Sequence, residues 1–136
     1  MEVIDIRYDA IKKALTQLDS SLSKIEMDKF ADLYDELRDS VIQRFEFCVD
    51  TLWKYLREYL QDQMKVKVEF VSLKNVFKAC FSAKLISEDE LEVLFKMVED
   101  RNLTSHTYNK DLAEEIYKRI PKYYDLMKKI LDRCKI

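Results

Sequence analysis

The 136-residue chain has no glycine and a single proline, Pro121. Tight two-residue hairpins and phosphate-cradling loops both rely on glycine's easy access to positive φ. Walker-type and Rossmann-type nucleotide sites are therefore excluded. There is one histidine, His106, and the three cysteines, Cys48, Cys80 and Cys134, are far apart and odd in number. That set offers no metal-ligand spacing, so neither a metal nor a cofactor is expected, and the cysteines read as buried reduced thiols. An excess of charge is missing too. With 24 Lys+Arg against 26 Asp+Glu the net charge is -2 at pH 7. This supplies no global attraction to nucleic acid, so contact with RNA has to be local and none with DNA is expected. No run of 18 apolar residues occurs and no apolar targeting run follows Met1-Glu2-Val3, so no membrane contact is expected and a cytoplasmic location is. Asn102-Leu103-Thr104 matches a glycosylation acceptor, which carries no weight without a secretion signal.

What is abundant is Leu, Lys, Glu and Asp at helical spacing, and the expected fold is all-α, in one domain over residues 1–136. A first helix is expected over 3–24, with Ile4, Ile11, Leu15, Leu18 and Leu22 on one stripe and weak helix formers at Asp19-Ser20-Ser21. The second is expected over about 28–64, capped by Asp28. Phe30, Leu33/Tyr34, Leu37, Val41, Phe45, Cys48, Leu52, Tyr55/Leu56 and Tyr59 keep a three-four rhythm through it. Ile42, Phe47, Val49 and Trp53 form a second apolar set. A helix apolar on more than one face is central in its bundle or shared with another subunit. Some of Ile42, Phe45, Val49 and Trp53 are accordingly expected at or near a homodimer interface.

Residues 64–71 alternate apolar and charged, like a strand without a partner, and read as an extended connection. Ser72 caps a short helix over 73–82. Ser87 with Glu90 forms a capping box opening the next helix, which turns Leu91, Leu94, Phe95 and Val98 inward. Asn109 caps the last helix, about 110–134, with a kink expected at Pro121. The whole is an up-and-down four-helix bundle with one extra short helix.

Residues 99–108 concentrate the candidate chemistry. Arg101 offers a planar fork of donors for phosphate oxygens, and His106 belongs to the residue type that gives or takes a proton near neutrality. Asn102, Thr104, Ser105 and Tyr108 add hydrogen-bonding groups. Positions 101 and 106 lie about 140° apart on an ideal helix, whereas 101 and 108 share a face. Convergence of Arg101, His106 and Tyr108 thus requires the helix to end or loosen near 103–105, which Thr104-Ser105 favours. Each residue also has a plain structural reading. His106 can be a satisfied structural histidine, Arg101 a helix-end cation next to Glu99 and Asp100, and Tyr108 one of eight tyrosines packed on the last helix.

Arg101-x4-His106, with the polar Asn102 directly after the arginine, resembles the signature of HEPN-domain proteins. Tyr108, two residues past the histidine, extends it to the form of the HepT-type toxins, long called nucleotidyltransferase substrate-binding proteins. The likeness includes Arg38 to Phe47, then Trp53-Lys54-Tyr55-Leu56, Glu99 to Tyr108, and Ile116-Tyr117. It is least clear before residue 30. It implies an α-helical homodimer paired with a separately encoded minimal nucleotidyltransferase antitoxin, and metal-independent cleavage of RNA. By the same resemblance Arg101 holds the scissile phosphate, His106 is general acid or base for attack by the ribose 2′-hydroxyl, and Asn102 orients the phosphate or the histidine. Tyr108 is the position the partner modifies with AMP. One histidine per chain would furnish both an acid and a base if a two-fold dimer set two copies across its axis. The competing reading is a non-catalytic nucleotide- or substrate-binding subunit of a two-component nucleotidyltransferase, which the acidic balance favours. Behind both stands a dimeric helical adaptor with a structural motif.

Overall fold

The computed structural model describes residues 2–136, apart from the side chains of Asp28 and Phe30. The described residues form five α-helices: α1 Val3–Ile25, α2 Tyr34–Met64, α3 Leu73–Ser82, α4 Glu88–Leu103 and α5 Lys110–Arg133. No strand occurs among the described residues. The capping residues read from the sequence hold the helix starts. Ser72 Oγ accepts from the Asn75 N–H, the Ser87–Glu90 box is reciprocal, and Asn109 Oδ1 accepts from the Leu112 N–H.

The start of the second helix differs from expectation. Residues Asp28–Leu33 form a 3-10 turn, and the α-helix begins only at Tyr34. The apolar rhythm of Leu33, Tyr34 and Leu37 runs on through this change of pitch, so periodicity alone does not see it. The expected cap at Asp28, and Phe30 as the head of the stripe, lie outside the described side chains. Without glycine, two lysines take left-handed backbone, Lys65 at φ 58° and Lys84 at φ 65°. Lys65 closes α2, where the Val66 N–H returns to the Leu60 carbonyl at 2.8 Å and Lys65 Nζ donates to the Asp62 carbonyl. These bonds offset the roughly 1–2 kcal/mol that a side chain costs in that region.

Polar and aromatic links between helices give their directions. Arg7–Glu58, Tyr8–Tyr55 and Arg44 to the Gln17 carbonyl make α1 and α2 antiparallel. Tyr34–Glu114, the Phe45–Tyr123 ring stack and the Tyr55 hydroxyl donating to the Cys134 carbonyl run α5 alongside α2 in the same sense. Asp100–Arg119 and Glu90–Arg133 set α4 antiparallel to α5. The long helices thus alternate up and down, with α3 as the extra short helix. α5 runs unbroken across exposed Pro121, which has no N–H to give to the Tyr117 carbonyl.

α2 is the central element, touching all four other helices. Its many apolar faces are consumed there. Ile42, Phe45 and Val49 are buried within the protomer and Trp53 packs partly against the same core. Ile42, Phe45 and Val49 are thus covered by surrounding helices and offer no surface of their own to a second subunit, while Trp53 keeps a partly open face. Of the second apolar set only Phe47 stays exposed, at 56%. Burial pushes the thiols of Cys48 and Cys80 up to about 12 and that of Cys134 up to about 11, so all three are neutral, reduced core residues. No helix among the described residues is long and apolar enough to cross a membrane, and no group of His, Cys, Asp and Glu among them has the arrangement of a metal site.

Candidate active site

α4 ends at Leu103, and Thr104–His106 continue as a 3-10 turn. The local chemistry explains the break. Three hydroxyls turn back on the chain: Thr104 Oγ1 donates to the Arg101 carbonyl at 2.7 Å, Ser105 Oγ to Asn102 at 3.4 Å, and Thr107 Oγ1 to Thr104 at 3.0 Å. They satisfy carbonyls that the end of the helix would leave without partners, and so favour ending it there. This is the break that the 101/106 geometry requires.

Around the turn, all the candidate catalytic and modification residues except Arg101 lie at the surface. Asn102, His106 and Tyr108 are all exposed, Tyr108 at 84%. The His106 and Tyr108 rings meet edge to face, 6.0 Å between centroids at 76°. Neither ring nitrogen of His106 has a hydrogen-bond partner among the described residues, and no direct bond joins it to Arg101.

Arg101 is different: it is half-buried and already paired. Its Nε donates to Asp50 Oδ1 at 3.1 Å and its Nη2 to Asp50 Oδ2 at 2.9 Å, a two-pronged pair along one edge of the guanidinium. Nη1 lies 3.3 Å from Glu46 Oε2 and 3.5 Å from Thr104 Oγ1. Hydrogen bonding to Asp50, then the charges of Asp50 and Glu46, hold this guanidinium above its ordinary range against the opposing effect of burial. One cation here faces two carboxylates, and the site carries negative charge.

The preceding residue has the opposite destination. Asp100 is fully buried, at 0% exposure. Its carboxylate takes both prongs of Arg119, at 2.7 and 2.8 Å, and the hydroxyl of Tyr123 at 2.5 Å, both from α5. Consecutive residues point about 100° apart on a helix, so Asp100 ties the last turn of α4 to α5 while Arg101 ties it to α2. Asp100 is thus a core anchor rather than a charged neighbour of Arg101 at the surface.

Sequence reasoning missed Glu46, Asp50 and the Asp100–Arg119–Tyr123 cluster. A signal for the first two exists: they are four residues apart, which sets two carboxylates on one face of α2. Nothing local indicates that this face meets a residue 51 positions later.

Residues 6–136 match the model of a family described as nucleotidyltransferase substrate binding protein like. No curated protein matches at a significant level. Among solved structures, a protein of Thermus thermophilus is 32% identical, with TM-score 0.80 over 93% of this chain and 99% of its own. A Haemophilus influenzae protein, whose structure is described as revealing the fold of a substrate-binding domain of a nucleotidyltransferase, is 21% identical. It superposes with TM-score 0.80 over 93% of this chain and 98% of its own. A tri-AMPylated Shewanella oneidensis HEPN toxin, in complex with an MNT antitoxin, shares the fold at 20% identity. Its TM-score is 0.69 over 98% of this chain and 97% of its own. The helical fold of the HEPN toxins is therefore this chain's fold, and on the family match and the Thermus thermophilus identity the chain belongs to the nucleotidyltransferase substrate-binding protein-like family.

Proposed function

We propose that the protein is the RNase toxin of a toxin–antitoxin pair, acting in the cytoplasm without a metal. A partner minimal nucleotidyltransferase silences it by modifying Tyr108 with AMP. The observation carrying this reading is the end of α4, where a half-buried arginine fork is followed within seven residues by an exposed histidine, its ring nitrogens unpartnered among the described residues, and by an exposed tyrosine against its edge. Arg101 binds a non-bridging oxygen of the scissile phosphate and offsets the charge added in the transition state. The ribose 2′-hydroxyl attacks phosphorus, giving its proton to a base. The 5′-oxygen leaves with a proton from an acid, and a cyclic phosphate remains. His106 takes one of these roles, Asn102 orients the phosphate or His106, and a two-fold dimer brings a second His106 for the other role. The exposed Phe47 offers a seat for that second copy. It borders an open groove of about 510 Å³ that Ile6, Ala10 and Ala14 of α1 also line, and it adjoins Glu46 at the site's edge. A relative that is AMPylated and bound to an MNT antitoxin supports the partner assignment, because the fold is shared along the whole chain.

His106→Ala decides the matter. Its side chain is exposed and without polar partners, so the variant keeps the wild-type melting temperature. Removing a general acid or base lowers RNA cleavage by roughly 10²–10⁴-fold. Cleavage at the wild-type rate would refute the assignment. The second reading, a subunit that binds nucleotide for its partner without catalysis, is favoured by the carboxylates that already occupy Arg101. It stands instead if purified wild-type protein binds nucleotide but leaves RNA intact.

A further inference from the structure

The guanidinium of Arg101 has two edges, and the fold treats them differently. Along the Nε–Nη2 edge Asp50 makes two aligned hydrogen bonds at 3.1 and 2.9 Å. That geometry fixes the plane of the fork as well as its position, since two parallel bonds define an orientation. At the other end, Nη1 meets Glu46 through a single charge contact at 3.3 Å and the Thr104 hydroxyl at 3.5 Å. Thr104 is itself buried and spends its proton on the Arg101 carbonyl, so toward Nη1 it is only a weak acceptor. The second N–H of Nη2 has no partner among the described residues. The strong bonds are on one side; the other side has one charge contact, to a side chain about as exposed as that of Asp50, with no aligned hydrogen bond.

We infer that Asp50 is the positioning residue that holds Arg101, and that Glu46 occupies the seat an RNA phosphate takes at the Nη1 end, where no aligned pair of hydrogen bonds has to be broken. This deepens the proposed function and rests on it. The exchange is balanced in charge. A phosphodiester brings one negative charge and two free oxygens, and Glu46 withdraws one negative charge and the oxygen it had placed there. Asp50 stays throughout, because losing it would free the fork to rotate and would unmake both hydrogen bonds at once. Glu46 sits one helical turn before Asp50 on the same face of α2, and swinging it toward solvent breaks only its contact with Arg101. In the resting protein the arginine is thereby kept ordered and partly screened, and binding of loose anions is suppressed.

Two isosteric substitutions separate this arrangement from a simple effect of net charge, because each removes one negative charge from the same arginine. The probes are inorganic phosphate, followed through the Arg101 Nε–H resonance, and a single-stranded RNA oligonucleotide with 2′-O-methyl riboses, followed by fluorescence anisotropy. Glu46→Gln is expected to bind both probes about three- to ten-fold more tightly than wild type. Asp50→Asn is expected to bind them more weakly, with the Nε–H resonance shifted even before ligand is added, and Asp50→Glu to recover part of the loss. If both neutral variants tighten binding together, charge alone is at work and the division of edges is wrong. If both leave binding unchanged while Arg101→Ala abolishes it, Glu46 and Asp50 have no part in the phosphate seat and the inference falls alone. If Arg101→Ala binds the oligonucleotide as well as wild type does, the proposed function falls and takes this inference with it.

Discussion

Arg119→Ala isolates Asp100, the most deeply buried charge among the described residues. Asp100 has no exposure, and Arg119 provides its two strongest partners while Tyr123 provides the third. The Asp100 hydrogen bond also holds the Arg119 guanidinium above its ordinary range, as expected of a close pair. Removing the arginine leaves the carboxylate in the core with one hydroxyl donor. Breaking a buried pair from one side costs about 3–5 kcal/mol, because the remaining charge has lost its compensation. The unfolding entropy of a chain of this length is about 0.29 kcal/mol per kelvin, so the expected fall in melting temperature is about 10–17 °C. Tyr123→Phe keeps the ion pair and loses one hydrogen bond, so it should cost about 1 kcal/mol, or about 3 °C. Thermal unfolding followed by circular dichroism at neutral pH measures both. If Arg119→Ala melts within about 3 °C of wild type, Asp100 is reached by water or pairs elsewhere, and its role as the anchor of α4 is wrong.

Glu90 has two roles, as the capping-box acid of α4 and as the partner of Arg133 at 2.7–2.8 Å. Its hydrogen bond to Arg133, aided by Ser87, holds its carboxyl down to about 2. A carboxyl lowered by folding adds stability above its unfolded value, near 4.5, and loses it as pH falls towards 2. Glu90→Gln should therefore melt about 3 °C lower at pH 7, roughly 1 kcal/mol after allowance for the exposure of Arg133, and match wild type near pH 2. A deficit that persists at pH 2 would point to lost packing instead. Tyr108 is almost entirely exposed, so Tyr108→Phe should leave stability and most RNA cleavage intact. With a partner nucleotidyltransferase and ATP, wild type should gain an AMP-sized mass and the variant should not. Equal gains on both would remove Tyr108 from regulation.

The parts of the fold legible in the sequence are those decided within a few residues. A cap and the turn it opens lie three positions apart, so Ser72, Ser87 and Asn109 mark the starts of α3, α4 and α5 where the structure has them. The break after Leu103 was legible for the same reason, since Thr104 and Ser105 reach carbonyls three residues back. Pitch was not. The residues before Tyr34 keep an apolar rhythm that suits a 3-10 turn as well as an α-helix. The destination of an apolar face was not legible either. Ile42, Phe45 and Val49 look the same in sequence whether a second subunit covers them or α1, α4 and α5 do.

The same limit applies at the site, with a consequence for how it works. Arg101, His106 and Tyr108 are visible because they cluster in the chain, whereas the groups that aim Arg101 come from α2 and those that seat its helix come from α5. Asp50 and Asp100 are both ordinary acids in ordinary helical sequence. One becomes a half-exposed clamp and the other a buried anchor only because α4 is wedged between two helices that run the same way. Anchoring residue 100 to α5 and residue 101 to α2 fixes the last turn of α4 in rotation as well as in position. The 3-10 turn that follows presents His106 and Tyr108 to solvent while Arg101 stays paired to α2. On the proposed mechanism a site divided in this way has a doubly anchored charge and an exposed proton carrier, and substitutions on its two halves should separate accordingly. Those at Asp50 should act on binding of the phosphate, and those at His106 on the chemical step.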